Sequence, residues 1–471
     1  MKLFHLLCCL LPVATQAQVD TTQRPAYHFT AAKNWINDPN GLIYINGQYH
    51  LYYQYNPYDT KWGHMSWGHA VSKDLLHWND LPVAIPEVVK PDTTTWIFSG
   101  SAVLDKANTS GFGKNAIVAI YTADQPTQQK ESQFIAYSND GGLTYRQYAG
   151  NPVIDLHKKD FRDPNVIWLE KQKHWLMTVA LPQEKKVQFY RSDDLKHWTL
   201  LSEFGNQGDT RKIWECPSLT PLHVDGDPKK TKWLLMVSSG NQDGETGLQY
   251  FTGDFDGKEF KNDNAAAHQQ FVDLGPTFYA AIPYNNLPDG KKTMIGWLMP
   301  SNQPAYPWTG SMSIPRDLAL KSTPQGVRLF QQPSSVIKLP ASKFEKKDVA
   351  IKDQPFVLEQ FKNNTNWIDV TFSAGTAKTY GIKLPQAEIT CHGGELVIAW
   401  KDGKKKLSVP TGDLRLQLLQ DKSSVEVFVN GGAQVVTFLV YPAKEDHEVT
   451  LFAKQGSVKV KSLKVWELQA L

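Results

Sequence analysis

The heptapeptide Ser72-Lys73-Asp74-Leu75-Leu76-His77-Trp78 returns as Ser192-Asp193-Asp194-Leu195-Lys196-His197-Trp198. A looser copy, Ser138 to Tyr145, lies between the two, and a distant echo, Asp254-Phe255-Asp256-Gly257 followed by Phe260, comes after them. Turn residues recurring by chance would not repeat Ser, Asp, Leu, His and Trp at identical spacing. The copies start at 72, 138 and 192, so they are 66 and 54 residues apart. That period suits one four-stranded propeller blade with generous loops. Each copy follows a β-rich run, such as Tyr49 to Tyr53 or Val187 to Tyr190. Each also sets a turn between a strand and an aromatic that can pack between sheets. Residues 25–335 then hold five such units.

After Pro333 the pattern changes. The stretch Ala341 to Asp353 is charged and poor in large apolar residues, as a linker or a sheet edge would be. Beyond it come alternating runs such as Val425-Glu426-Val427-Phe428-Val429, ended by Asn430-Gly431, a strong hairpin signal. Residues 345–471 read as an antiparallel β-sandwich. The expected fold is therefore all-β: a five-bladed β-propeller followed by a C-terminal β-sandwich. The 32 Gly and 28 Pro, with no long helical period, agree with short strands joined by turns. No catalytic cluster stands in the second unit. Its expected role is to bury apolar surface against the propeller, with sugar binding as the sharper alternative.

Met1 and Lys2 lead into the apolar run Leu3 to Ala14, then Thr15-Gln16-Ala17 before Gln18. This reads as a signal peptide over residues 1–17, too short to span a bilayer, and predicts export to a periplasm or the cell exterior. Cys8 and Cys9 lie inside the run, so a lipoprotein cut is the alternative. No later segment reaches membrane length. Of four cysteines only Cys216 and Cys391 would remain, which argues against a disulfide framework. The chain has 50 basic and 47 acidic residues, and losing Lys2 leaves 49 against 47. That balance does not point to nucleic acid or an acidic polymer as partner, and it suits a neutral substrate.

Three short segments put an acid near an aromatic and just before proline: Trp35-Ile36-Asn37-Asp38-Pro39-Asn40-Gly41, Phe161-Arg162-Asp163-Pro164-Asn165 and Trp214-Glu215-Cys216-Pro217-Ser218. Proline fixes φ and removes a backbone donor, so each acid should sit where the chain leaves a regular ladder. The acids are 125 and 52 residues apart, about two blades and one blade. Equivalent innermost strands of a propeller converge on its axis, so such acids can meet in one pocket. Singly, each motif is also ordinary turn or ion-pair chemistry. The three together, in a chain with this repeat, are not.

These three motifs resemble the signatures of glycoside hydrolase family 32, the invertases, inulinases and levanases. The resemblance continues through Met65 to Ala70, Phe98 to Ser101, Asp273 to Ala280 and Asp421 to Phe428, and so covers nearly the whole mature chain. Ile36, where many relatives carry Met, is a small departure of similar apolar volume. The resemblance implies a retaining, exo-acting β-fructosidase that releases terminal fructose from levan or inulin and also cleaves sucrose. By motif, Asp38 would be the nucleophile, Glu215 the acid/base and Asp163 the transition-state stabiliser. Asn37, Gln54, Ser99 and Arg162 would bond sugar hydroxyls, and Trp35, Trp62, Phe98 and Trp297 would give apolar faces. Arg162 has a second plausible task in orienting carboxylates, and Tyr279 would line the pocket near Glu215.

Neighbouring negative charge raises the pKa of whichever acid is hardest to ionise, so a raised Glu215 and a low Asp38 are expected. Cys216 follows Glu215 directly, so a thiol nucleophile is an alternative, but no His partner stands nearby in sequence and adjacent strand residues face opposite ways, which favours a packing role. No histidine pair has metal-ligand spacing, and the implied mechanism requires neither metal nor other cofactor. An endo-levanase or endo-inulinase, an invertase and a non-catalytic fructan-binding protein are the alternatives. The absence of an obvious long insertion tilts toward exo action, and the presence of all three acids tilts against a mere binding protein. Linkage preference, β-2,6 or β-2,1, and oligomeric state stay open at this level.

Overall fold

The computed structural model describes residues 23–468 except 241–246, 360, 362, 374 and 444–445. The expected signal peptide lies outside the described residues. The first part of the chain forms five antiparallel sheets, blades I to V. Their innermost strands are Asn34–Ile45, Thr93–Asp105, Arg162–Leu169, Ile213–His223 and Phe278–Pro283. Each touches the next and the fifth touches the first, so the five ring one axis. The second strands, such as Ala116–Gln125 and His174–Leu181, are buried along most or all of their length. Both of their faces meet neighbouring blades, which is why they read as continuous apolar runs. Outer strands such as Thr199–Gly205 are partly exposed.

The repeated heptapeptide is the turn from the third strand to the fourth. The Ser72 hydroxyl accepts the N–H of Leu75 at 2.8 Å, while Asp74 Oδ1 accepts those of Leu76 (3.0 Å) and His77 (2.9 Å). Asp74 Oδ2 meets His77 Nδ1 at 2.7 Å. In blade III, Asp194 receives Lys196 and His197 in the same way, at 2.9 and 2.8 Å. The turn needs one left-handed residue, supplied by buried Leu75 (φ 64°) and Leu195 (φ 63°), and by Gly142 (φ 88°) in blade II. In blade IV, Asp256 takes the N–H groups of Lys258 and Glu259, so the distant echo is the same device.

Two ties close the ring. Asn34 and Trp35 pair in parallel with Trp308 and Thr309, fastening blade V to blade I. At the other end of the inner strands, the Asn285 amide donates to the carbonyls of Ala102 (2.9 Å) and Val166 (3.0 Å), and its backbone N–H to Leu42.

The rest of the chain is a β-sandwich of two six-stranded antiparallel sheets around a Leu, Val and Ile core. The charged stretch after Ala341 is an edge strand, Phe344–Lys352. The hairpin at Asn430-Gly431 forms between Ser424–Val429 and Gln434–Leu439. It presses on the propeller at Gly432, where an added Cβ would lie 1.5 Å from the Gln331 carbonyl oxygen.

The join between the two parts is polar as well as apolar. Arg316, fully buried in blade V, donates from Nε and Nη2 to Glu426 Oε2 at 3.0 and 2.6 Å and from Nη1 to Asp273 Oδ2 at 2.9 Å. Its guanidinium lies 4.0 Å from the Phe278 ring centroid. Glu426 Oε1 meets His28 Nε2, and His28 Nδ1 meets Asp421 Oδ2, both at 2.9 Å. Asp421 also accepts the backbone N–H groups of Ala26, Tyr27 and His28. Burial alone would lower the imidazole pKa of His28, but the two carboxylates outweigh it and raise the value to about 9. No helix among the described residues is long and apolar enough to cross a membrane.

Candidate active site

All five inner strands lose register with their neighbours. The breaks fall between Ile36 and Pro39, Ile97 and Gly100, Arg162 and Asn165, Glu215 and Ser218, and Tyr279 and Ile282. A bulge leaves residues unpaired and re-aims their side chains. The residues so released are Asn37-Asp38, Phe98-Ser99, Asp163-Pro164, Cys216-Pro217 and Ala280-Ala281. Pro164 and Pro217 have no N–H to give to a ladder, so the break falls where they stand. Asp163 (φ 68°), Cys216 (φ 47°) and Ala280 (φ 52°) take the left-handed conformation there, which costs a residue with a Cβ about 1–2 kcal/mol. The cavity onto which these breaks open has a volume of about 590 Å³.

Asp38, Asp163 and Glu215 all line this cavity. Asp38 Oδ2 accepts from the Ser99 hydroxyl at 2.6 Å, and Oδ1 from the Asn37 amide at 3.1 Å. Asn37 is held in turn by the Trp35 indole N–H at 2.8 Å. Asp163 Oδ2 accepts the Cys216 N–H at 2.9 Å. Glu215 is gripped from two sides: Arg162 Nε reaches Oε1 at 3.1 Å and the Tyr279 hydroxyl donates to Oε2 at 2.7 Å. Arg162 Nη1 also donates to Asp160 Oδ1 at 3.2 Å and to Glu131 Oε1. A second space, of only about 10 Å³, shares Ser99 and Asp163 with the cavity and is otherwise lined by residues such as Pro39, Pro164, Pro217 and Ile282.

Gln54, Trp62, Phe98, Ser99, Asn37, Arg162 and Tyr279 line it as well. Trp62, 52% exposed, stands edge-on to Trp96 at 5.3 Å. Trp35 and Trp297, the other two aromatics expected to face the sugar, stand behind the residues that line the cavity. They meet edge to face at 5.9 Å, and Trp35 reaches the site only through Asn37. Cys216 differs from expectation. Its sulfur lies 3.5 Å from Asp38 Oδ2 and 3.6 Å from Asp163 Oδ2, inside the site, because the bulge cancels the strand alternation. Burial first, then the charge of Asp163, pushes its thiol pKa well up, so it is a weak proton donor there and no thiolate nucleophile.

Charge is spread differently than expected. Burial raises the pKa of Asp38; the hydrogen bonds from Ser99 and Asn37 oppose the rise and the charge of Glu215 adds to it. The direction differs from the low value expected for Asp38. Burial and then Glu215 push Asp163 up to about 8, against Arg162. The charge of Glu215 thus opposes the ionisation of both aspartates. Sequence reasoning also missed a polar wall of Asp124, Glu131, Lys159 and Asp160. Their only signal is an acid-containing polar run, Lys130 to Gln133, in which Glu131, Ser132 and Gln133 prove buried inside a strand.

The sequence profile of the "Glycosyl hydrolases family 32 N-terminal domain" matches residues 28–333, and that of "Glycosyl hydrolases family 32 C terminal" matches residues 339–467. A levanase of Bacillus subtilis (strain 168) is 42% identical over 494 residues, covering 97% of this chain and 72% of its own. An extracellular exo-inulinase of Aspergillus niger is 36% identical over 96% of both chains. Among solved structures, exo-inulinase from Aspergillus awamori superposes with a TM-score of 0.88 at 32% identity, over 96% of this chain and 100% of that one. A fructofuranosidase from Schwanniomyces occidentalis complexed with fructose gives a TM-score of 0.86 at 30% identity, over the same shares.

Proposed function

The chain belongs to glycoside hydrolase family 32, and from that premise we propose that it is an exo-acting β-fructosidase that removes terminal non-reducing fructose through a covalent fructosyl-enzyme. As a member it is a fructan- or sucrose-hydrolysing enzyme, and retention is typical of its family. The observation that supports the finer reading is the convergence of Asp38, Asp163 and Glu215 on one cavity, with Arg162 and Tyr279 against Glu215. Similarity to extracellular exo-inulinases supports the same reading and export from the cell.

In the first half-reaction Asp38 attacks C2 of the fructosyl unit while Glu215 passes its proton to the leaving oxygen. The C2–O bond breaks and an ester to Asp38 forms. The donors on Asp38, Ser99 and Asn37, hold the attacking carboxylate in one orientation and later stabilise it as the leaving group. Asp163, fixed by the Cys216 N–H, is suited to bond sugar hydroxyls as positive charge grows on the ring. In the second half-reaction Glu215 takes a proton from water, whose oxygen attacks C2 and frees Asp38. Arg162 and Tyr279 hold the two oxygens of Glu215 in place for both steps.

Product analysis of levan and inulin digests over time tests the reading. Fructose alone from the earliest points is the expected result, and the faster polymer gives the linkage. An early ladder of oligosaccharides, or the disaccharide as first product, would replace exo action by an open-cleft mode.

A further inference from the structure

Glu131 is a buried acid outside the three motifs, and it lies on the third strand of blade II, Lys130–Ser138. Its Oε2 accepts the Phe161 N–H at 2.7 Å, and its Oε1 accepts Arg162 Nη1. The Nε of that same guanidinium reaches Glu215 Oε1 at 3.1 Å. One largely buried cation is thus shared by two glutamates, with Asp160 as a third, more exposed partner, and only Glu215 is placed to hand a proton to a leaving group.

We propose that Glu131 is a positioning residue for Glu215: by sharing Arg162 it offsets the cation's pull on Glu215 and keeps a proton available on the acid/base. This rests on the assignment of Glu215 as acid/base. An arginine bonded to one carboxylate alone favours its ionised form and would strip a general acid of its proton at working pH. With two carboxylates on one guanidinium, the second ionises against the first, and the pair retains a proton over a wider range.

The surroundings reinforce this balance. Asp124 and Asp160 face Glu131 and Arg162 from the blade II side, with Lys159 as the nearby cation. Asp163 and Asp38 add negative charge from the axis, and Tyr279 faces Glu215 from blade V. Burial raises Glu131 to about 7 even against Arg162.

The test is the pH dependence of kcat/KM for the full enzyme and its Glu131→Gln and Glu131→Asp variants. Gln keeps the size of Glu and one acceptor oxygen, enough for Phe161 N–H or for Arg162, but carries no charge. Its basic limb is expected about one pH unit lower than that of the wild type. Asp keeps the charge, so its limb should stay near the wild-type position although its rate falls. Limb position does not depend on how much enzyme is folded, so partial misfolding leaves the comparison intact. A Glu131→Gln limb that coincides with the wild type overturns the proposal, as does an equal displacement in both variants, which marks a packing role. A Glu215→Gln control that keeps the basic limb would instead refute Glu215 as the acid, an outcome distinct from failure of the Glu131 link.

Discussion

At the residue scale the site works by giving similar groups different surroundings. Asp38 has two donors, Asp163 has one backbone N–H, and Glu215 has a cation on one oxygen and a hydroxyl on the other. Glu215→Gln should lower kcat on sucrose or levan by about 10²–10⁴-fold, the usual worth of a general acid. With β-fructosyl fluoride, whose leaving group needs no proton, a burst of fluoride should survive, because Asp38 still attacks. Loss of the burst together with the steady rate would mean that Glu215 does more than transfer protons. The three acids were legible because each sits in a motif. The pKa pattern was not, since it depends on burial that local sequence does not encode. Cys216 shows the same limit: its direction follows from a bulge, and strand alternation points the other way.

At the element scale the chain spends one turn motif four times and one bulge five times. The Ser-x-Asp turn is local chemistry, a side chain substituting for backbone partners, so it shows in the sequence at once. Asp194→Ala removes an acceptor shared by two backbone N–H groups and should destabilise the protein by about 1–2 kcal/mol in urea titrations. None of the turn's residues lines the cavity, so kcat/KM should be unchanged. A fall in kcat/KM of the folded variant would show that blade III transmits strain to the axis. The bulges, in contrast, left only partial marks. Prolines announce those in blades III and IV, while Phe98-Ser99 and Ala280-Ala281 carry no proline and were placed only by register.

At the scale of the molecule, propeller and sandwich are held together by a fully buried network of Arg316, Glu426, His28, Asp421 and Asp273. Losing one partner of such a pair strands the other charge, so Glu426→Gln should cost about 3–5 kcal/mol. The network also makes a pH prediction. His28 stands at about 9 in the folded protein against an ordinary value near 6.5. Its contribution, about 3 kcal/mol by linkage, is complete below pH ~6.5 and is lost as pH rises to about 9. Thermal denaturation from pH 6 to 9.5 should show this decline in the wild type and a flatter profile in His28→Gln. Equal slopes would mean that His28 is neutral in the folded state.

Sequence by itself determined the β class, the propeller followed by a sandwich, the family and the three acids, because each rests on short-range patterns of period, turn and motif. Tertiary structure alone decided what stands around those acids. Glu131 and Arg162 come from different blades, and Arg316 and Glu426 from different domains. Such pairs meet only once the ring has closed and the sandwich has docked. Their energetics depend on burial and on the bulges, where side-chain direction departs from the strand period that makes the rest of the chain readable.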